Sequence, residues 1–134
     1  MTTTVASVRY IVDDVDAAVA FYRDCLGFEV AMHPAPGFAA LDRAGLRLLL
    51  NAPGAGSAGK AGEGRPRPGG WNRFQLVADD LDGTLAELAA DGIEVWGKVT
   101  EGAGGRQALV RDPSGNPVEL FEPARSTPGE GGGR

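Results

Sequence analysis

The chain repeats itself, and this repeat constrains its fold more than any other feature of the sequence. Residues 8–19 read VRYIVDDVDAAV, and residues 74–85 read FQLVADDLDGTL. Residues 42–53, DRAGLRLLLNAP, have a similar counterpart in residues 112–123, DPSGNPVELFEP. Because the matched segments follow one another in the same order, we infer two copies of one structural module.

Each copy has the pattern of one strand, one helix and three further strands. The first strand is a short apolar run, Val5–Val12 in one copy and Arg73–Ala78 in the other. Asp-x-x-Gly turns at residues 42–45 and 112–115 precede the last strand of each copy. The sequence therefore predicts an α+β fold made of two βαβββ modules.

The repeated Asp-Asp-apolar-Asp segment marks where each helix begins. A carboxylate at the start of a helix accepts hydrogen bonds from the N–H groups of the first turn. We expect Asp14 or Asp16 to cap the first helix in this way, and Asp80 or Asp82 to cap the second.

The repeat and the composition together predict the domain organisation. We assign the first module to residues 1–53 and the second to residues 71–123, and we expect both to form one domain. Residues 54–70 are rich in glycine and proline and are interpreted as a linker. Residues 124–134 are interpreted as a disordered tail.

Composition limits the partners and the location of the protein. The chain has 134 residues, 43% of them hydrophobic, and a formal net charge of −5. The negative charge argues against nucleic acid or an anionic membrane as partner. No N-terminal apolar run resembles a signal peptide, and no segment approaches the ~20 apolar residues of a membrane span. We therefore expect a cytoplasmic protein, in which the single Cys25 forms no intrachain disulfide.

Two segments of the chain resemble a known family. They are VDDVDAAVAFYRDCLGFEV near the start and VRDPSGNPVELFEP near the end. Together with the repeat, they resemble the vicinal-oxygen-chelate superfamily of glyoxalase, bleomycin-resistance and dioxygenase-like proteins. The resemblance implies curved mixed sheets that form a cup, and a homodimer. It also implies a small organic molecule as the ligand.

The resemblance also indicates where a metal would bind. Enzymes of this family take metal ligands from positions that correspond here to Ser7, Leu49, Arg73 and Glu119. Only Glu119 is a good ligand, because Leu49 has no donor atom and Arg73 carries a fixed positive charge. A catalytic metal needs about three protein ligands. We therefore expect no metal and no other cofactor at these positions.

Strand alternation predicts which side chains line the cup. It assigns Ser7, Arg9, Arg73, Gln75 and Glu119 to the cup face, while their apolar neighbours pack on the helices. Polar groups on such a face need partners, because burying them unpaired costs a few kcal/mol each. Because Arg73 and Glu119 both fall on positions where the resemblance implies metal ligands, we expect them to pair in place of a metal.

Aromatic side chains near the cup would supply stacking area for a ligand. The predicted ligand-binding residues are Ser7, Arg9, Phe38, Leu49, Trp71, Arg73, Gln75, Trp96, Glu119 and Phe121. The two tryptophans are equally consistent with packing at a module or subunit interface. The only histidine, His33, is more typical of a surface or structural residue than of a wall of the site.

Several functions remain open at this point. We favour metal-independent binding of a small organic molecule, for example the sequestration of an antibiotic or another metabolite. One alternative is a metal-independent lyase or isomerase, in which Glu119 acts as the general acid or base and Arg9 or Arg73 stabilises an oxyanion. A second is a metal-dependent glyoxalase-like or dioxygenase-like enzyme with an atypical site. A third is a scaffold whose residues 54–70 order on a partner.

Overall fold

A computed structural model describes residues 6–56 and 62–125 of the chain. Residues 57–61 of the predicted linker and residues 126–134 of the predicted tail lie outside the described part. The described residues form two compact units. The first unit contains the residues up to Asn72 together with Arg111–Pro117, and the second contains the rest.

The first unit is built around a four-stranded mixed sheet. Its elements are β1 (Ser7–Ile11), α1 (Val15–Ala20) with a π-helical turn over Phe21–Cys25, β2 (Glu29–Ala35), β3 (Phe38–Arg43) and β4 (Leu46–Asn51). The strand order is β1-β4-β3-β2, with β1 parallel to β4 and the other neighbours antiparallel. This is the predicted βαβββ module.

The second module repeats this arrangement. Its elements are β5 (Gln75–Val77), α2 (Leu81–Ala90), β6 (Thr100–Gly102), β7 (Gly105–Arg111) and β8 (Pro117–Pro123). The strand order is β5-β8-β7-β6, and the predicted α+β fold is confirmed. Strands β5 and β6 are shorter than β1 and β2, and Gly97, three residues before β6, lies in the left-handed region (φ 90°). Within the described residues, no helix is long and apolar enough to cross a membrane.

Aspartates cap both helices, as the sequence predicts. The Asp14 side chain accepts a hydrogen bond from the backbone N–H of Ala17 at 3.1 Å, and that of Asp80 accepts one from Gly83 at 3.1 Å. The other two candidates have different contacts. Asp82 forms an ion pair with Arg106 at 3.3 Å, and Asp16 lies 3.4 Å from His33.

Side chains alternate between two faces of each sheet, as predicted. One face is part of the apolar core, and in the first unit α1 contacts β3 and β4 there. Six of the eight residues predicted to pack on this face are buried: Tyr10, Val12, Phe74, Leu76, Val118 and Leu120. The other two, Val8 and Ala78, are half-buried. We call the other side of each sheet its open face. The open faces carry the predicted polar residues, among them Arg9 on β1 and Gln75 on β5.

The turn between β7 and β8, residues 112–116, belongs to the first unit. The buried Asp112 carboxylate accepts hydrogen bonds from the backbone N–H groups of Ser114 and Asn116, both at 2.9 Å. It also accepts one from the Tyr22 hydroxyl at 2.9 Å and one from the Asn116 amide at 3.0 Å. The same Asn116 amide donates to the carbonyl of Ile11 at 2.8 Å. The Asp-Pro-Ser-Gly-Asn motif therefore anchors a turn to the first sheet and its helix.

The burial of Tyr22 beside Asp112 makes stability depend on pH. Burial, and then the nearby Asp112 carboxylate, raises the pKa of the Tyr22 phenol well above its ordinary value of about 10. Above pH 10 the unfolded chain therefore loses this proton before the folded chain does, and the free energy of unfolding falls. Urea unfolding at a series of pH values should show this fall in the wild type and a smaller one in Tyr22→Phe.

The matched control for this experiment is Tyr10→Phe. Tyr10 is also buried, but its hydroxyl donates to the carbonyl oxygen of Pro117 at 2.8 Å, which carries no charge. Tyr10 makes only the smallest contribution to the raised pKa of Tyr22, so we expect Tyr10→Phe to retain most of the alkaline fall that Tyr22 contributes. An alkaline fall of equal size in Tyr22→Phe and the wild type would contradict the assignment.

Candidate ligand-binding site

A cavity of about 400 Å³ opens on the first sheet. It lies at the end of the sheet where β1 and β4 finish and where β2 turns into β3. Its lining residues are Arg9, Ala35, Gly37, Phe38, Asn51, Ala55 and Gly56. Two of them, Arg9 and Phe38, are predicted ligand-binding residues, and the structure brings them together in this cavity.

One wall of the cavity is the segment that follows β4. It folds back onto the β2–β3 turn, where the N–H of Ala52 donates to the carbonyl of Gly37 at 3.0 Å. A Cβ atom on Gly37 would lie only 2.9 Å from the Cβ of Ala55. The absence of a side chain at Gly37 therefore permits the close approach that forms this wall.

The charged group of the cavity is the Arg9 guanidinium. Its Nη1 donates a hydrogen bond to the side-chain oxygen of Asn51, which is 3% exposed. Within the part of the chain that the structure describes, no carboxylate forms an ion pair with Arg9. Four other arginines do have such pairs: Arg23, Arg47, Arg73 and Arg106. The cavity thus combines a cation with small or aromatic walls.

A polar cluster lies on the open face of the second sheet. Arg73 Nε is 3.1 Å from Glu119 Oε1, and the Gln75 amide donates to Glu119 Oε2 at 2.6 Å. Gln75 and Glu119 are direct neighbours on the parallel strands β5 and β8. The side chains of Arg73 and Glu119 are 26% and 12% exposed, so the pair is partly shielded from solvent. The predicted pairing of Arg73 with Glu119 is confirmed.

The residues at the expected metal-ligand positions do not fit a divalent metal. Each oxygen of Glu119 already accepts a hydrogen bond, and one of the donors is a guanidinium that would repel a second cation. Ser7 offers a neutral hydroxyl, and Leu49 offers no donor atom. Among residues 6–56 and 62–125, no three His, Cys, Asp or Glu side chains are grouped closely enough to hold a metal ion.

The other predicted residues lie outside the cavity. Ser7 and Leu49 are on the open face of the first sheet, and Leu49 is the direct neighbour of Arg9. Trp71 is 68% exposed in the first unit. Trp96 is half-buried in the second unit, where its backbone N–H donates to the backbone carbonyl of Leu109 at 2.7 Å.

Phe121 lines a second, smaller cavity of about 210 Å³ in the second unit. Gly104 and Gly105 form part of the same cavity, next to the aromatic ring. Contact of the predicted residues with a ligand remains a prediction.

Five residues of the larger cavity are absent from the prediction: Ala35, Gly37, Asn51, Ala55 and Gly56. One of them had a signal in the sequence. Asn51 occupies the position in the first module that Phe121 occupies in the second, and it is the polar last residue of the apolar strand LRLLLN. The small residues gave no signal, because only the folded chain brings them against Phe38.

A family model matches most of the chain. It is described as the Glyoxalase/Bleomycin resistance protein/Dioxygenase superfamily, and the match covers residues 4–120. The comparison with curated proteins found no match.

The chain is also similar to solved structures. The chain is 30% identical to a lactoylglutathione lyase from Agrobacterium tumefaciens, over 90% of this chain and 94% of that chain, with a TM-score of 0.70. It is 27% identical to TnmS3, an antibiotic binding protein from Streptomyces sp. CB03234. That match covers 92% of this chain and 98% of TnmS3, with a TM-score of 0.68. A bleomycin-binding protein from Streptomyces verticillus, at 24% identity over 92% and 99% and a TM-score of 0.61, shares the fold.

Proposed function

The chain belongs to the glyoxalase/bleomycin resistance protein/dioxygenase superfamily, and we propose that it binds a small organic molecule without a metal. The observation that carries this proposal is the cavity of about 400 Å³ in the first unit. Its volume lies within the usual range of small-molecule sites, roughly 300–1,000 Å³. Such sites combine apolar walls with a few polar groups that orient the ligand. Phe38 and the alanines supply the walls here, and Arg9 and Asn51 supply the polar groups.

The proposed role is the sequestration of an antibiotic or another metabolite. TnmS3 supports this role, because it is described as an antibiotic binding protein and is 27% identical in sequence to this chain. The pairing of Arg73 with Glu119 supports the metal-independent part of the proposal, since the guanidinium supplies the positive charge beside the carboxylate. As part of the same proposal, the protein is a cytoplasmic homodimer with neither nucleic acid nor a membrane as its partner.

A second candidate is a metal-independent lyase or isomerase. The similarity to a lactoylglutathione lyase, at 30% identity, favours the lyase part of this candidate. Glu119 would then transfer the proton, with Arg73 beside the developing negative charge. This candidate ranks lower because both oxygens of Glu119 already accept hydrogen bonds, from Arg73 and from Gln75. Analysis of a bound compound for chemical change over time distinguishes catalysis from binding.

A thermal-shift screen in the presence of EDTA tests the binding proposal. We expect at least one class of neutral, cationic or anionic aromatic compounds to raise the Tm of the wild type. A ligand at 100 times its Kd stabilises the folded state by about 2.7 kcal/mol. Ala35→Trp should abolish this shift, because its indole fills the cavity from the exposed strand β2. Zinc, nickel or manganese added without EDTA should not raise the Tm.

Ala31→Trp is the matched control, since Ala31 is also exposed on β2 but does not line the cavity. It should respond to the same compounds as the wild type. The proposal is wrong if no class of compound gives a shift, or if Ala35→Trp leaves the shift unchanged. A clear stabilisation by a divalent metal would contradict its metal-independent part.

A further inference from the structure

We infer that the ligand is an organic acid, whose carboxylate or phenolate binds Arg9 and whose flat apolar body lies against Phe38. The inference rests on the proposed function, because it concerns the same cavity, and it names the chemical class that this cavity selects.

The first argument is the uncompensated charge of Arg9. The described carboxylates that form ion pairs with arginine lie elsewhere, and the side chain that holds Arg9 is the neutral amide of Asn51. The neighbours of Arg9 across the open face of the sheet are apolar: Leu49 on β4, and then Ala40 on β3. Arg9 is exposed, but these neighbours offer its guanidinium no acceptor, so an anionic ligand would supply the ion pair that the described side chains do not.

The second argument is that the guanidinium is already held in place. Asn51 is buried at the end of β4, and its backbone carbonyl accepts a hydrogen bond from the backbone N–H of Val12 at 2.9 Å. A guanidinium has five N–H donors in a fixed fork, and the bond to Asn51 uses one of them. The remaining donors match the two oxygens of a carboxylate, and little side-chain entropy is lost on binding. Asn51 is thus a positioning residue for Arg9.

The third argument is the shape of the rest of the cavity. Phe38 and Asn51 are direct neighbours on antiparallel strands, so the aromatic ring stands beside the group that holds Arg9. Gly37 and Ala55 also line the cavity and add no large side chain, and they lie so close together that a Cβ on Gly37 would be 2.9 Å from the Cβ of Ala55. A ring of the ligand that lies against Phe38 therefore has its acidic substituent near Arg9.

Isothermal titration with 2-naphthoate and 2-naphthamide tests the inference, because these probes share one ring system and differ in charge. We expect the wild type to bind 2-naphthoate at least about 10-fold more tightly than the amide. Arg9→Met should remove this preference by weakening the binding of 2-naphthoate alone. Asn51→Asp should also remove it, since an Asp carboxylate beside Arg9 would neutralise the guanidinium. Phe38→Ala should weaken the binding of both probes.

Arg23→Met is the control for charge, because it removes the same charge from an exposed position of the first unit outside the cavity. It should retain the preference for 2-naphthoate. The inference is overturned if the wild type binds both probes equally or binds neither, or if Arg9→Met keeps the preference. The proposed function survives each of these results if neutral or cationic compounds still stabilise the wild type but not Ala35→Trp in the thermal-shift screen.

Discussion

Replacing Asp112 with alanine is expected to lower the free energy of unfolding by about 3–5 kcal/mol. The Asp112 side chain is 4% exposed and accepts four hydrogen bonds, from Tyr22, Ser114 and twice from Asn116. An alanine would leave these donors without their acceptor in a buried place, and the turn would lose its hydrogen bond to Tyr22. For a domain of this size, the loss corresponds to a fall in Tm of roughly 10–20 °C.

The repeat supplies the matched control, because Asp42 is the equivalent of Asp112 in the first module. Asp42 pairs with Arg47 at 2.8 Å, but its side chain is exposed, so Asp42→Ala should have a much smaller effect on stability. Asp112→Asn should lie between the two, because an amide keeps the volume and turns one acceptor into a donor. Urea unfolding of the three variants measures the difference. Equal losses for Asp112→Ala and Asp42→Ala would show that Asp112 does not anchor the turn.

Local sequence rules were sufficient to predict the elements of this fold. The repeat predicts the number and order of strands and helices, and the caps at Asp14 and Asp80 follow from short-range hydrogen bonding. Alternation separates Tyr10 in the core from Arg9 on the open face, because successive side chains of a strand point to opposite sides. All of these features depend on residues that are close in the chain.

The same rules could not predict contacts between residues that are far apart in the chain. The motif at residues 112–116 predicts a turn, but nothing in it indicates that Tyr22 supplies a hydrogen bond to Asp112. That contact depends on where the β7–β8 turn lies in three dimensions, and the structure assigns the turn to the first unit. The compact units therefore differ from the predicted modules at this turn.

In the candidate site, too, some features could be predicted from the sequence and others could not. The pairing of Arg73 with Glu119 could be predicted from the sequence, because the family resemblance places both residues at metal-ligand positions of one module. The cavity around Arg9 could be predicted only in part. Its wall at Ala55 falls in the predicted linker, and its size depends on how closely that segment approaches Gly37. Composition alone cannot predict a close approach between two backbones.

Replacing Gly105 with alanine is expected to cost about 2–4 kcal/mol of stability. Gly105 begins β7 with φ 148°, a conformation that residues with a side chain rarely adopt. A Cβ atom there would overlap the carbonyl oxygen of Glu122 and lie 2.9 Å from the backbone nitrogen of Ala124. Neither atom belongs to a flexible side chain, so the end of β8 would have to move.

Gly104→Ala separates the effect of overlap from that of losing a glycine. A Cβ atom on Gly104 would meet only the edge of the Phe121 ring, at 3.9 Å, which is an ordinary contact. We expect this variant to unfold at nearly the same urea concentration as the wild type, and Gly105→Ala to unfold at a much lower one.

Movement at the end of β8 also has a consequence for α2, since the Glu122 carboxylate accepts a hydrogen bond from the Leu81 N–H at the start of that helix, at 2.9 Å. Hydrogen exchange at Leu81 should therefore accelerate in Gly105→Ala and not in Gly104→Ala. Equal exchange rates at Leu81 in the two variants would mean that β8 absorbs the overlap without moving Glu122.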